Sequence, residues 1–299
     1  MNTLYPLLVN GLLEGSRIGI AGLGFALIFF TTRELHFAYG AALAGAGYLF
    51  FQLFGRLAWP GWLTVVVVLA ASAAGGVAVK VVLYRPLRDH LAILLFSFGL
   101  AIVLENVYHV VFGPSDVLPP ITFLDRVAEL PGPGLTLVRY IDFAGFAAFV
   151  VATALLLVVL ERSRVGAAIQ AVMRDEGMAR LVGIRTGQIA VLVYATGSLL
   201  GGISGIVHVT RTGVRPDSGF EVVLFAFIVT LLAVGRIGRV ALWALVIGVV
   251  RALVAWRLPT ELSTLLVFVA MLAYLVARAP SPGRRRLQAR PVVATGSPS

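Results

Sequence analysis

The sequence predicts an all-α polytopic integral membrane protein, and three observations carry that reading. Only 13% of the 299 residues are charged while 59% are hydrophobic, and the mean hydropathy is +0.96. A soluble domain carries about a quarter charged residues, so a chain of this length cannot cover its own surface in water. Apolar runs of about 20 residues, enough for a helix to cross a hydrocarbon core of roughly 30 Å, recur along the chain. These runs lack strand-like alternation, and within a bilayer the backbone must satisfy its own polar groups, so helices are favoured over a closed barrel.

The apolar segments fall at 7–30, 37–54, 62–83, 91–112, 140–160, 187–209, 220–234, 240–256 and 261–277. Eight or nine transmembrane or re-entrant helical segments are therefore expected, with 220–234 the weakest and open to being a half-helix. No basic region precedes the first run, and Glu14 and Arg17 interrupt it, so it reads as a retained span and not a cleaved signal. Residues 113–139 hold Pro114, Pro119, Pro120, Pro131 and Pro133, a long loop that cannot be a span. Residues 161–186 place Arg162, Arg164, Arg174, Asp175, Glu176, Arg180 and Arg185 among alanines with few helix breakers, which predicts a polar helical insert. The expected organisation is a membrane domain over 1–279, carrying that insert, and a disordered basic tail over 280–299.

Lysine and arginine set the orientation. With the insert in the cytoplasm and all nine segments crossing, sixteen basic residues lie inside and six outside, and Arg17 and Arg251 lie within spans. The bias predicts the N-terminus outside and the C-terminus inside. Two four-residue glycine ladders, Gly11, Gly15 and Gly19 and then Gly197, Gly201 and Gly205, each place a groove of small residues on one helix face. Tight packing is the plainer role for them, and a moving interface or a substrate groove the other.

Several chemistries are excluded. The net charge of +10 is spread singly or in short clusters between apolar runs, so no nucleic-acid partner is expected. There is no cysteine for a disulfide or a thiol site. A P-loop needs a lysine closing a glycine-rich loop, and the one lysine, Lys80, sits inside an apolar segment. The histidines (His36, His90, His109 and His208) have no ligand spacing, so no metal site is expected. Ionisable residues within spans cost about 2.5–3.5 kcal/mol each at mid-helix. Glu14 and Arg17, three apart, can pair to reduce that cost; Arg251 near its segment's end can snorkel to the interface. Glu105, Asn106 and His109 on the fourth span leave proton relay, substrate contact and interhelical hydrogen bonding open.

Taken together, several segments resemble the permease subunits of the branched-chain amino acid ABC importers, a family that also serves amides and urea. Asn10-Gly11 before a glycine-rich span looks like its N-terminal signature, and His36-Phe37-Ala38-Tyr39-Gly40 resembles its Asn-Phe-Ala-His-Gly. Tyr84-Arg85-Pro86-Leu87-Arg88, Phe98-Gly99-Leu100, Leu104-Glu105-Asn106 and Phe112-Gly113 are similar to later family patterns. The most specific match runs from Arg162-Ser163-Arg164-Val165-Gly166 through Arg174-Asp175 to Ala179-Arg180-Leu181-Val182-Gly183-Ile184, similar to the family's cytoplasmic coupling loop. The departures are Tyr39 where histidine is usual, Glu14, two arginines in Gly235-Arg236-Ile237-Gly238-Arg239, and a loose echo of the closing motif around Arg278 and Pro280.

The resemblance implies a plasma-membrane transport subunit that binds no cofactor itself. ATP and Mg are used by two partner ATP-binding subunits, beside a second related permease, an extracytoplasmic solute-binding protein and membrane lipid. It assigns ATPase coupling to Arg174, Asp175, Glu176, Ala179, Arg180, Gly183 and Ile184. His36, Tyr39, Glu105 and Asn106 become candidates for the substrate path. Two other classes remain open on sequence alone: an ion-coupled transporter or channel using Glu105, and a membrane-embedded enzyme or scaffold without translocation.

Overall fold

The computed structural model describes residues 4–87, 89–119, 126–130 and 136–257, with isolated positions between 262 and 274. Most of the last apolar segment, Arg88, Pro120, Pro131, Pro133, the Arg278–Pro280 echo and the 280–299 tail lie outside the described residues.

Helix α1 (Leu4–Thr32) is the axis of the molecule. Its 29 residues, at about 1.5 Å each, exceed the thickness of a hydrocarbon core. It is buried along most of its length because α5 (Tyr140–Arg162), α8 (Thr186–Thr212), α9 (Ser218–Ala233) and α10 (Ile237–Ala255) pack around it. A second layer is formed by α2 (Ala38–Phe50), α3 (Gly61–Ala78) and α4 (His90–Phe112). The first two of these continue as π-helical turns, Phe51–Arg56 and Val79–Leu83. Among the described residues, six helices are long and apolar enough to cross a membrane: α1, α3 with its extension, α4, α5, α8 and α10.

Small residues decide how closely the helices approach. A Cβ on Gly11 would meet the Val249 backbone and one on Gly15 the Ala244 carbonyl, so α1 and α10 touch backbone to backbone. Gly19 instead receives the Phe149 ring of α5. In the second ladder, Gly197 faces Ile28 and the Gly24 carbonyl, Gly201 takes the Tyr39 ring, and Gly205 lies on the Leu43 carbonyl. The glycines thus make room for two large aromatic side chains as well as for backbone.

The long loop contains an element that proline-counting does not predict. Strands β1 (Val127–Leu130) and β2 (Thr136–Arg139) form an antiparallel hairpin, with Val127 opposite Arg139. An isolated bridge, Val117 to Val214, ties the start of this loop to the segment between α8 and α9. Strands of four residues are too short for an alternating pattern to stand out in sequence.

Candidate functional site

The polar insert folds as two short helices, α6 (Arg164–Arg174) and α7 (Glu176–Leu181), and each is capped by its own sequence. The Ser163 hydroxyl accepts the Gly166 N–H at 2.8 Å, and Asp175 Oδ1 accepts the Met178 N–H at 3.0 Å. The far end of α7 closes with two backbone bonds, Gly183 N–H to Arg180 O and Ile184 N–H to Ala179 O, both 3.0 Å. That double closure needs a left-handed residue, and Gly183 has φ +87°.

One face of α6 holds the insert to the membrane helices. Gly166, Ile169 and Val172 are buried, and a Cβ on Gly166 would collide with the backbone of Val159 and Leu160. Gln170 donates to the Leu160 carbonyl at 2.6 Å, and Arg33, just past α1, donates to the Met173 carbonyl at 3.1 Å. α6 is therefore fixed to α5 by backbone packing and tied to the end of α1 by the Arg33 bond.

Among the residues implied by the resemblance, Arg174, Asp175, Glu176, Arg180 and Gly183 are exposed, Ile184 is half-buried and Ala179 is buried. Arg180 pairs with Glu176 and donates Nε to Thr186 Oγ1 at 3.0 Å. The sequence reading passed over the neighbours that face outward from this frame. Met178, Leu181 and Val182 are 58%, 80% and 72% exposed. The three large apolar side chains form an exposed apolar patch on an otherwise charged insert. Large apolar residues in an otherwise charged insert were the available signal.

Inside the membrane domain the structure brings His36 and Tyr39 together. Both line a cavity of about 420 Å³ between α2, α3, α4 and α8, with Tyr48, Gln52, Tyr108 and Ser198. Tyr39 Oη, Tyr48 Oη and Gln52 Oε1 are buried without a hydrogen-bond partner among the described residues, the Tyr39 hydroxyl packed against Gly24 of α1. The wall itself is largely aromatic and apolar. The other two path candidates, Glu105 and Asn106, do not line this cavity, although Leu104 and Tyr108 of the same helix do. Asn106 is exposed and bonds back to the Ile102 carbonyl of its own helix at 2.7 Å.

Beneath His36 lies an ion pair that sequence reasoning missed. Lys80 Nζ is 2.5 Å from Glu34 Oε1, and the Tyr194 hydroxyl donates to Glu34 Oε2 at 2.7 Å. His36 Nδ1 and the Tyr84 hydroxyl share a bond of 2.6 Å. Burial, with the Lys80 charge a second cause, pushes the His36 imidazole down to about 3, so the ring is neutral at physiological pH. A lysine inside an apolar run demands an acidic partner, and that demand was the signal for Glu34.

Glu14 and Arg17 pair, as their spacing predicts. Arg251 bridges Glu14 at 3.0 Å and Glu221 at 2.7 Å, with its guanidinium 4.8 Å above the Phe225 ring. The sequence reading gave it no partner.

The comparisons with known proteins agree with this architecture. A family described as the branched-chain amino acid transport system permease component matches residues 7–275. The high-affinity branched-chain amino acid transport system permease protein LivH of Escherichia coli K12 is 26% identical over 284 residues, covering 89% of this chain and 91% of the relative. The corresponding protein BraD of Pseudomonas aeruginosa is 28% identical over 261 residues, covering 82% and 84%. The fold is shared with a chain of PsaBC from Streptococcus pneumoniae in complex with Fab, at TM-score 0.53 and 12% identity over 93% of this chain and 94% of that one. A match spanning nearly the whole membrane domain places this chain in the branched-chain amino acid transport system permease component family.

Proposed function

We propose that this protein is the membrane-spanning permease subunit of an ABC importer in the cell inner membrane, moving branched-chain or related small amino acids or amides. In this reading it works with a second related permease, two ATP-binding subunits and an extracytoplasmic solute-binding protein. ATP and Mg belong to the ATP-binding subunits. The observation that carries the reading is the α6–α7 unit, capped at each helix start and anchored to α1 and α5, yet leaving Met178, Leu181 and Val182 exposed. A lever needs a stiff body, a firm root and a contact surface, and this unit has all three. Relatives described as permease proteins of branched-chain amino acid transport systems supply the substrate class.

The test is a charge placed on the contact surface. Leu181→Asp lies on an exposed side chain and leaves folding intact. Loss of a central apolar anchor costs an interface on the order of 2 kcal/mol, so association with the ATPases falls at least tenfold. Reconstituted Leu181→Asp protein is expected to lose ATP-driven leucine uptake while its unfolding temperature is unchanged. Normal uptake by this variant would remove the docking role from α7.

A further inference from the structure

A second cavity, of about 380 Å³, lies among the last turns of α8, the first turns of α9, the C-terminal half of α10 and the α1 segment around Glu14. It is on the side opposite the α6–α7 insert, because α5 and α8 leave that insert in opposite senses and this cavity is at their far ends. Its wall is charged and its floor is not. Glu14, Arg17, Glu221 and Arg251, drawn from three helices, line it with Asp116 and Arg215 from the flanking connections, three acidic and three basic groups that sum to zero beside His208, while Ile18, Val222 and Phe225 form the floor.

We propose that this cavity is a transit site for a zwitterionic apolar amino acid, an assignment that rests on the permease reading. The solute carboxylate takes a place on Arg17 and Arg251, its ammonium on Glu221 and Glu14, and its aliphatic side chain lies on the floor. Three observations support it. The charges surround space and are not packed shut, since Glu221 is half exposed and Glu14 a quarter exposed. Arg17 lines the cavity while its Nε is buried with no hydrogen-bond partner among the described residues, so the guanidinium is only partly satisfied by Glu14. The charge balance also selects. Within the membrane an uncompensated charge is costly, so a singly charged solute would displace one partner and strand another. A zwitterion exchanges both members of a pair at once and strands none.

The absence of native cysteine permits a direct test. Val222→Cys puts a thiol on the cavity floor of the complete transporter in sealed, right-side-out vesicles. Its labelling by a membrane-impermeant thiol reagent is followed by the mass of this chain. L-leucine at about twice its half-saturating concentration is expected to slow labelling about threefold by mass action. Leucinamide and 4-methylpentanoate, each carrying one of the two charges, are expected to leave the rate unchanged. In a Glu221→Gln background leucine protection disappears while the unprotected rate stays the same; Glu221→Asp restores protection. Absence of protection by leucine, or equal protection by all three solutes, overturns the proposal. ATP-driven leucine uptake measured in matched vesicles of the unsubstituted protein separates the two readings: uptake there without protection in Val222→Cys sinks the site alone, and no uptake by the unsubstituted protein sinks the permease reading beneath it.

Discussion

At the scale of single residues, the most consequential side chains are the buried charges, and each is held by a partner far away in sequence. Glu34 is only 7% exposed and is shared between Lys80 and the Tyr194 hydroxyl. Removing one partner of such a pair leaves the other uncompensated and costs about 3–5 kcal/mol, whereas removing both costs much less. Lys80→Met alone is therefore expected to lower the unfolding temperature sharply, and Lys80→Met with Glu34→Gln to recover most of the loss. Equal thermal stability of single and double variants in detergent would show that the pair is solvated and structurally idle. The sequence exposes Lys80 as an anomaly but not its partner, because Glu34 sits between two apolar segments and reads as an ordinary connector. Likewise the partners of Arg251 show only once α10 is seen lying against α1, beside Glu14. Pairings across helices depend on rotation about each helix axis, which composition does not encode.

At the scale of elements, glycine spacing foretold close contact but not what each glycine meets. Gly248, on no ladder, is the tightest of the α1–α10 contacts: its Cβ would strike the Gly15 nitrogen and the Gly11 carbonyl. Gly99 on α4 has open space around it. The same substitution is expected to act oppositely at the two positions. Gly248→Ala forces the helices apart, a cost of about 1–3 kcal/mol for overpacking, while Gly99→Ala removes backbone freedom from an exposed helix position and adds roughly 0.5–1 kcal/mol of stability. Thermal unfolding of the two variants side by side checks this, and a stable Gly248→Ala protein would contradict the backbone contact between α1 and α10. Apolar run length made the helices themselves legible, since burial in lipid leaves a 20-residue signature that no local propensity can hide. The hairpin Val127–Leu130 with Thr136–Arg139 left none, being only four residues deep on each strand. Of the candidate site, the insert was legible because charge interrupts lipid-compatible sequence, whereas the division of α4 between cavity-lining Leu104 and excluded Glu105 was not.

For the whole molecule the deciding question is whether the short helix α9 crosses the membrane, because the sidedness of everything after it depends on the answer. Its 16 residues are fewer than a span usually needs, and length alone would permit a re-entrant hairpin. The neighbours of its two ends argue otherwise. Ser218 and Glu221 at its start line the cavity with His208, in the last turns of α8, and Arg215, just beyond them. The turn at its other end, Gly235 to Arg239, lines a cavity with Arg33, Glu161, Gln170 and Arg174, beside the α6 insert. Those two neighbourhoods lie at opposite ends of α5 and α8, so α9 runs from one face to the other and α10 returns. Single cysteines read this out. Arg236→Cys and Gly177→Cys are expected to react with an impermeant thiol reagent only from the cytoplasmic side, and Leu118→Cys, 51% exposed, only from the opposite one. Reaction of Arg236→Cys from the same side as Leu118→Cys would turn α9 into a re-entrant loop. It would also invert α10 and carry Arg251 away from the side on which Glu14 requires it.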